Sequence, residues 1–284
     1  MNGEQRPTRS DAPSPASGRQ QQAEGQLRAL ELFGMRFGLD RMRRMMTALG
    51  SPERSFEAVH VLGTNGKSST TRMTAAILER HGLRTGAYLS PHLVSYCERV
   101  LVGEREMDPD GFADAVSRAA WAAERVNRTL AGDDHVTQFE LLTAAAFWHM
   151  AAAGVEVAVV EAGLGGRYDA TSVLDAPVTV LTNVGLEHTR WLGPTVRHIA
   201  EEKLAALSDG AVLVLGEDLD GQALEVARRV AAERGARIVR SGPSVERLEL
   251  AARGVFQRRN FALARTAAGA YLEHAGIAVD EQAV

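Results

Sequence analysis

Short apolar runs alternate with longer stretches of helical spacing along most of the chain. The runs predict buried strands at 58–62, 85–89, 155–160, 178–184, 211–215 and 237–239. Apolar positions three and four residues apart predict helices at 67–81, 111–130, 139–153, 196–207, 221–234 and 255–275. Because strands that alternate with helices build a parallel sheet covered by helices, this pattern predicts an α/β fold.

The two ends of the chain depart from this alternation. Residues 1–25 are rich in Pro, Ser, Gln and Gly and offer almost nothing to bury, which predicts a disordered tail. Apolar residues recur at helical spacing from 26 to 49, and the methionines among them are interpreted as core packing. We therefore expect a tail at 1–25, a main domain at 26–253, and a terminal helix with a linker at 254–284.

Composition and charge narrow the classes of partner. A chain of 284 residues that is 45% hydrophobic can bury a full core. Its net charge of -4 provides no basic surface for nucleic acid. Its most apolar stretch, 144–160, is interrupted by charge and glycine, so we expect no membrane segment or signal peptide. The single cysteine, Cys97, cannot form an internal disulfide, and we expect a cytoplasmic protein.

A glycine-rich loop follows the first predicted strand and precedes the first long predicted helix. The loop spans residues 63–68 and consists of Gly63, Thr64, Asn65, Gly66, Lys67 and Ser68. Glycine lets backbone N–H groups turn inward, the helix N-terminus attracts anions, and lysine adds a full positive charge. The loop is shorter than a full Walker motif, because Val61 stands where its first glycine belongs. We interpret it as a phosphate loop; a plain strand-to-helix turn is the alternative.

Two other strand ends carry polar residues suited to a metal or phosphate. Glu161 ends a buried run and precedes a glycine-rich turn, which is where α/β nucleotide enzymes place a metal-binding carboxylate. A helix-capping or surface glutamate is the alternative for Glu161. His188 follows the next strand, but a lone histidine after a strand is more often structural than a ligand.

These segments together resemble the folylpolyglutamate synthase and dihydrofolate synthase family, a branch of the Mur ligase superfamily. The resemblance extends over nearly all of residues 27–275 and is carried by collinear motifs at 33–34, 38–42, 63–67, 90–93, 137–140, 161–171, 185–193 and 199–203. It implies a P-loop NTPase-like fold for 26–253, the Mur ligase central domain. It also implies that 254–284 leads toward a C-terminal Rossmann-like domain, which we expect to be absent from this chain.

The resemblance also implies roles for particular residues. The implied ATP-binding residues are Gly63, Thr64, Asn65, Gly66, Lys67, Ser68 and Asn260. The implied magnesium ligands are Ser90, Glu161, His188 and a carbamylated Lys203. Implied substrate contacts are Thr137, Gln138, Phe139, Glu140, Tyr168, Asp169 and Ala170. Catalytic roles fall to Lys67, His188 and Lys203. From the residues alone, a surface lysine is the preferred interpretation of Lys203, and Phe139 is equally a core residue.

The activity implied is an ATP- and Mg²⁺-dependent ligase that acts as a monomer. It would join the carboxylate of dihydropteroate or a folate to L-glutamate through an acyl phosphate. The chain departs from the family at Ser68, where glycine is usual, and at Glu187, where aspartate is common. Two alternatives stay open: a cell wall Mur-type amino acid ligase, and a truncated ATP-binding module without ligase activity.

Overall fold

The computed structural model describes residues 18–31, 36–242 and 252–284. The strands in these ranges are β1 (Glu57–Leu62), β2 (Thr85–Tyr88), β3 (Val100–Val102), β4 (Arg105–Glu106), β5 (Val157–Glu161), β6 (Val178–Leu181), β7 (Val212–Leu215) and β8 (Arg237–Arg240). They form one sheet in the order β4-β3-β2-β5-β1-β6-β7-β8. Neighbours from β2 to β8 in this order are parallel, whereas β3 pairs antiparallel with β2 and with β4. The predicted, mainly parallel α/β sheet is confirmed.

The helices of the described ranges cover both faces of the sheet. They are α1 (Gly18–Glu31), α2 (Asp40–Leu49), α3 (Lys67–Arg80), α4 (Pro109–Asn127), α5 (Gln138–Ala152), α6 (Thr189–Leu192), α7 (Val196–Leu204), α8 (Gly221–Arg234) and α9 (Phe256–His274). Single helical turns lie at Pro52–Arg54, Tyr96–Arg99 and Ala170–Val173. Within these ranges no helix combines the length and the hydropathy needed to cross a membrane.

Helix α1 corrects the predicted boundary of the N-terminal tail. Residues 18–25, which the composition placed in a disordered tail, form the first eight of the 14 residues of this helix. The helix is held because Ala23 and Leu27 are buried in the core beneath α4 and α5, so two apolar residues are enough to dock a polar segment. Residues 1–17 of the predicted tail lie outside the described residues, as do 243–251 of the predicted main domain.

The core consists of two layers, one on each face of the sheet. Alternation along β1 explains the division, because Ala58 faces one layer while Val59 and Val61 face the other. One layer packs under α3 and α9. The other packs under α1, α2, α4 and α5, and continues under α7 and α8. All five residues of β5 are buried, as expected for a central parallel strand covered on both faces.

Candidate functional site

Four polar segments meet at the carboxyl edge of the sheet. Ser90 follows β2, Glu161 ends β5, the phosphate loop follows β1, and Asn183 follows β6. The strand order β2-β5-β1-β6 sets these segments side by side, and the register pairs Val61 with Glu161. In open parallel sheets ligands bind at this edge. The topology therefore assembles a candidate site from four separate parts of the sequence.

Two positions of the phosphate loop require glycine. Gly63 has φ +144°, and a Cβ there would collide with the Thr182 hydroxyl. Gly66 has φ +80°, and a Cβ there would lie 2.5 Å from Asn260 Oδ1. Left-handed backbone of this kind lets successive N–H groups point to one side, as in an anion-binding loop. Asn260 of α9 thus lies against the loop, where the resemblance placed it near the nucleotide.

The segment after β6 braces the loop. The backbone N–H of Asn65 donates to Asn183 Oδ1 at 2.9 Å, and the Thr182 hydroxyl donates to the Asn65 carbonyl at 2.7 Å. The Thr64 N–H donates to the Asn183 carbonyl at 3.0 Å. Thr182 and Asn183 were missed as site residues, although a polar pair directly after a buried strand was the signal that could have found them. They hold the loop in its shape, and both also line the cavity next to it.

Lys67 is the first residue of α3, so the helix N-terminus points at the loop. Its Nζ donates to the Thr64 carbonyl at 3.1 Å, which keeps the ammonium folded over the loop. A cavity of about 470 Å³ adjoins the loop, with Gly66, Asp218 and Asn260 among its lining residues. A charged loop beside an open cavity of this size suits a nucleotide, with the phosphates at the loop and the nucleoside in the cavity.

Glu161 is the carboxylate of the site best suited to magnesium. It is buried, and its two oxygens accept from the Ser68 hydroxyl at 3.0 Å and from the Ser90 N–H at 3.1 Å. Burial raises the pKa of this carboxyl, although the two donors and Lys67 offset part of the effect. Mg²⁺ prefers hard oxygen ligands, and phosphate-loop enzymes hold it with a loop hydroxyl and a strand-end carboxylate. Ser68 and Glu161 fit that donor set.

Lys203 lies on the other side of the loop and is almost fully buried. Its Nζ donates to the Gly63 carbonyl at 2.8 Å and to Glu187 Oε1 at 2.6 Å. The same Glu187 oxygen accepts from the Thr64 hydroxyl at 3.0 Å. Burial lowers the pKa of Lys203, and the nearby Glu187 carboxylate opposes this shift only in part. Burial alone would raise the pKa of Glu187, but Lys203 holds it below its usual value. Glu187 therefore joins Lys203 to the phosphate loop, a role that the sequence did not reveal.

The predicted magnesium ligands divide into separate groups. Glu161 and Ser90 contact one another, whereas Lys203 contacts Glu187. His188 is exposed at the start of α6, with φ +45°. Over the described ranges no cluster of three or more His, Cys, Asp or Glu side chains has the arrangement of a metal site. An ammonium has no lone pair to donate, so Lys203 fits the predicted set only as a carbamate.

The seven predicted substrate residues line one cavity of about 350 Å³. They are Thr137, Gln138, Phe139, Glu140, Tyr168, Asp169 and Ala170. Phe139 packs against Gly163 so closely that a Cβ on this glycine would lie 2.6 Å from the ring. The walls are mostly apolar and aromatic, as in pockets for flat organic ligands. Other lining residues, which were missed from the sequence, include Leu30, Arg36, Phe37 and Leu192.

Glu140 has a structural task that the sequence did not indicate. Its carboxylate accepts from Arg41 Nε at 3.0 and 3.1 Å and from the Thr137 N–H at 2.7 Å, which completes the capping box of α5. Both side chains of the Arg41–Glu140 pair are buried. The expectation that Glu140 suits the ring of a substrate stays a prediction, but its carboxylate already has protein partners.

A buried polar chain supports the floor of this cavity. The hydroxyl of Thr171 donates to Asp169 Oδ1 at 2.5 Å and lies 2.8 Å from His60 Nε2. A hydroxyl has a single proton, so His60 Nε2 must carry its own proton and donate to Thr171. Asp169 also accepts from the Leu164 N–H at 2.7 Å, which holds the glycine-rich turn in place. These hydrogen bonds thus link β1 to the glycine-rich turn that forms the cavity wall.

His60 makes the stability of the fold sensitive to acid. Burial lowers its pKa from 6.5 to about 4. The unfolded state binds this proton first, so the contribution of neutral His60 is complete above pH 6.5 and is lost as the pH falls toward 4. Over that interval the loss is at most about 3 kcal/mol. We expect His60→Gln to flatten the pH dependence of urea unfolding between pH 7 and 4.5; an equally steep dependence in the variant would contradict this role.

Residues 61–261 match the family model for the Mur ligase middle domain. The chain belongs to the Mur ligase family. The phosphate loop, Glu161, Glu187 and Lys203 all lie inside the matched range, as does the cavity wall from α5 to the glycine-rich turn. Most of the residues that line the two cavities at the carboxyl edge of the sheet therefore lie within the Mur ligase middle domain.

Proteins similar to this Mur ligase chain carry folate-ligase names. The folylpolyglutamate synthase of Lacticaseibacillus casei is 38% identical over 192 residues, which cover 66% of this chain and 45% of that protein. The dihydrofolate synthase/folylpolyglutamate synthase of Bacillus subtilis is 35% identical over 200 residues, covering 70% and 46%. The Mycobacterium tuberculosis folylpolyglutamate synthase complexed with ADP is 30% identical with a TM-score of 0.85, covering 93% and 64%. The chain spans slightly under half the length of the Lacticaseibacillus casei and Bacillus subtilis proteins.

Proposed function

We propose that this chain forms the ATP- and acid-binding part of an ATP-dependent ligase. The acid is a pteroate or a folate, the amine is L-glutamate, and the two are joined through an acyl phosphate. The similar proteins named above are folylpolyglutamate and dihydrofolate synthases, and one of them was solved with ADP. Their names supply the substrate class, and the geometry of the site supports it.

The observation that carries this proposal is the continuity between the cavity and the phosphate loop. Glu161 contacts Ser68 of the loop, and Gly163, two residues later, lines the cavity. Two residues span at most about 7 Å. A second link runs through α7, where Glu202 lines the cavity and Lys203 contacts Gly63. An acid in the cavity can therefore present its carboxylate to a phosphate held by the loop.

The residues support phosphoryl transfer followed by amide formation. A carboxylate oxygen of the acid attacks the terminal phosphorus of ATP, the bond to the ADP oxygen breaks, and an acyl phosphate forms. The amine then attacks the acyl carbon, loses a proton, and phosphate leaves. Lys67 and the N–H groups at the N-terminus of α3 stabilise charge on the transferring group. Magnesium, held by Ser68 and Glu161, would neutralise further phosphate charge.

Phosphate release tests the proposal. The full-length protein is mixed with ATP, Mg²⁺, pteroate or a folate, and L-glutamate, and each component is omitted in turn. We expect release above background only in the complete mixture. ATP binding without glutamate-dependent release would instead indicate an ATP-binding module. Release that requires a UDP-linked peptide and a different amino acid would indicate a cell wall ligase.

Carbamylation of Lys203 stays a prediction, and the structure adds a condition to it. A carbamate here would face the Glu187 carboxylate, which now lies 2.6 Å from Nζ, so two anions would need a cation between them. We expect labelled bicarbonate to give a carbamate NMR signal only with Mg²⁺ and a nucleotide present. Lys67 and Lys203 are the only lysines of the sequence, which keeps the spectrum simple. A signal that survives in Lys203→Met would contradict the assignment.

We further propose that the protein is cytoplasmic, that it is a monomer and that it has no nucleic acid partner. The net charge of -4 supports the last of these. Size-exclusion chromatography with light scattering at micromolar concentration measures the second of these directly. A dimer would contradict it.

A further inference from the structure

Positive charge at the candidate site is concentrated at the phosphate loop. The ammonium groups of Lys67 and Lys203 each donate to a backbone carbonyl of the loop. The reacting carboxylate of the proposed acid has to reach the same loop, because it attacks a phosphate held there. Both lysines therefore lie at the end of the cavity where one carboxylate is needed.

The cavity behind the loop offers no free cation to a second carboxylate. Among the described residues that line it, Arg36 is the one cation, and it already pairs with Asp133 at 3.2 Å and with Asp134 at 3.5 Å. Three carboxylates line the same walls, namely those of Glu140, Asp169 and Glu202. The lining therefore carries more negative than positive charge.

Glu202 is the carboxylate of this lining that a ligand can reach. Its side chain is 29% exposed, whereas Glu140 and Asp169 are buried and accept hydrogen bonds from the protein. Glu202 Oε1 accepts from Arg167 Nε at 2.8 Å. Arg167 is exposed and lies outside the lining of the cavity. Of this ion pair, the cavity wall therefore presents the carboxylate.

The glycine-rich turn fixes Glu202 at the loop end of the cavity. The Arg167 N–H donates to the Glu202 carbonyl at 2.9 Å, which caps the last turn of α7. Gly166 lies so close to α7 that a Cβ there would be 2.1 Å from the Lys203 carbonyl oxygen. Because Lys203 contacts the phosphate loop, Glu202 lies one residue, about 3.8 Å along the backbone, from the position that meets the reacting carboxylate.

We infer that the cavity is built for an acid with one carboxylate, pteroate, and that Glu202 weakens the binding of acids that carry a second one; this inference rests on the proposed function. The carboxylate of pteroate is the reacting one, and it meets the two lysines. In pteroylglutamate, a folate with the same ring, a second carboxylate lies behind the reacting one, on the side where Glu202 is the accessible charge. Repulsion between like charges at a partly exposed site is equivalent to about fivefold in affinity.

The test measures two dissociation constants for each variant. Full-length protein with Mg²⁺ and a non-hydrolysable ATP analogue is titrated calorimetrically with pteroate and with pteroylglutamate. We expect wild type to favour pteroate. Glu202→Gln should bind pteroylglutamate about fivefold more tightly than wild type, while its affinity for pteroate changes by less than about twofold. The gain should shrink at high salt, because salt screens the repulsion.

Glu225→Gln is the matched control. Glu225 also belongs to a surface ion pair, with Arg197 at 2.7 Å, and it lies outside the lining of the cavity. The variant removes the same charge from the chain, so it should keep the wild-type ratio of the two affinities. An equal gain in Glu225→Gln would show that net charge sets the preference and would overturn the inference.

The double variant Arg167→Ala, Glu202→Gln tests a rival explanation, in which Glu202→Gln merely frees Arg167 to bind the second carboxylate. We expect the double variant to bind pteroylglutamate as tightly as Glu202→Gln does. Affinity below that of wild type would assign the second carboxylate to Arg167 and overturn the inference. An unchanged ratio in Glu202→Gln, or a wild type that favours pteroylglutamate, would also overturn it and leave the proposed function intact. Failure of the wild type to bind either ligand would overturn both.

Discussion

Replacing Lys67 by alanine is expected to weaken ATP binding about a hundredfold, which is roughly 3 kcal/mol. The Lys67 ammonium is the full positive charge on the loop itself, and it donates a hydrogen bond to the Thr64 carbonyl, 3.1 Å away. Because that partner is a loop backbone atom, the substitution removes phosphate attraction without breaking a salt bridge, although the buried Glu161 carboxylate loses a nearby positive charge. Fold stability should change by no more than about 1 kcal/mol. Calorimetric titration with ATP and Mg²⁺ measures the first effect, and urea unfolding measures the second.

Arg72→Ala is the control for this experiment. Arg72 is exposed on the same helix, α3, and lies outside the loop, so its removal changes the net charge by the same amount. Its ATP affinity should stay near that of wild type. Equal losses in the two variants would show that net charge governs binding, and unchanged affinity in Lys67→Ala would contradict the phosphate-loop assignment.

Replacing Arg41 by methionine is expected to destabilise the fold by about 3–5 kcal/mol. Arg41 and Glu140 are both buried, and Arg41 Nε contacts both Glu140 oxygens. Arg41 also contacts Asp134 at 3.0 Å and the Arg36 carbonyl. The variant leaves a buried carboxylate with the Thr137 N–H as its remaining donor. The midpoint of urea unfolding should fall while its slope stays constant.

The double variant Arg41→Met, Glu140→Gln separates the charge from the packing. It removes the stranded negative charge and keeps a side chain that can accept from Thr137, so it should recover a large part of the loss. A cost below about 1 kcal/mol for Arg41→Met would contradict the buried pair. A double variant less stable than the single one would show that packing, and not unpaired charge, causes the effect.

Local signals in the sequence were sufficient for the central sheet and the phosphate loop. β1 and β5 have five or more buried positions each, and the loop is contiguous and directly precedes α3. By contrast, β3 and β4 contain three residues and two, too few for an alternating pattern to show. The first eight residues of helix α1 were missed because Ala23 is the one buried apolar residue in that polar segment.

Hydrogen-bonded pairs of residues that are distant in the chain could not be predicted from a single sequence. Arg41 and Glu140 are 99 residues apart, and His60 and Thr171 are 111 apart. Each is unremarkable in its local context, and its partner is set by the folded topology alone. Glu187 was noted as a departure from the family, but its contacts with Lys203 and Thr64 become visible only when α7 packs against the loop. Arg36 and Phe37 could not be predicted as site residues either, because they line the cavity only as a result of tertiary packing.

Both lysines of the sequence lie at positions that suit an ammonium better than a guanidinium. Lys67 and Lys203 are the only lysines among 32 basic residues, and both lie at the site. Arginine serves as a surface cation as well as lysine does, but its planar head cannot replace a compact ammonium folded over a loop. An arginine also lacks the primary amine that a carbamate would require.

The central claim is that the phosphate loop and the aromatic cavity form one site, and trapping the acyl phosphate tests it most directly. The chain is mixed with ATP, Mg²⁺, pteroate or a folate, and hydroxylamine in place of glutamate. Hydroxylamine displaces phosphate from an acyl phosphate and gives a stable hydroxamate, so the test does not depend on a glutamate site. We predict hydroxamate in equal amount to ADP, and none with Lys67→Ala. ATP and the acid both bound, with no hydroxamate formed, would contradict the claim.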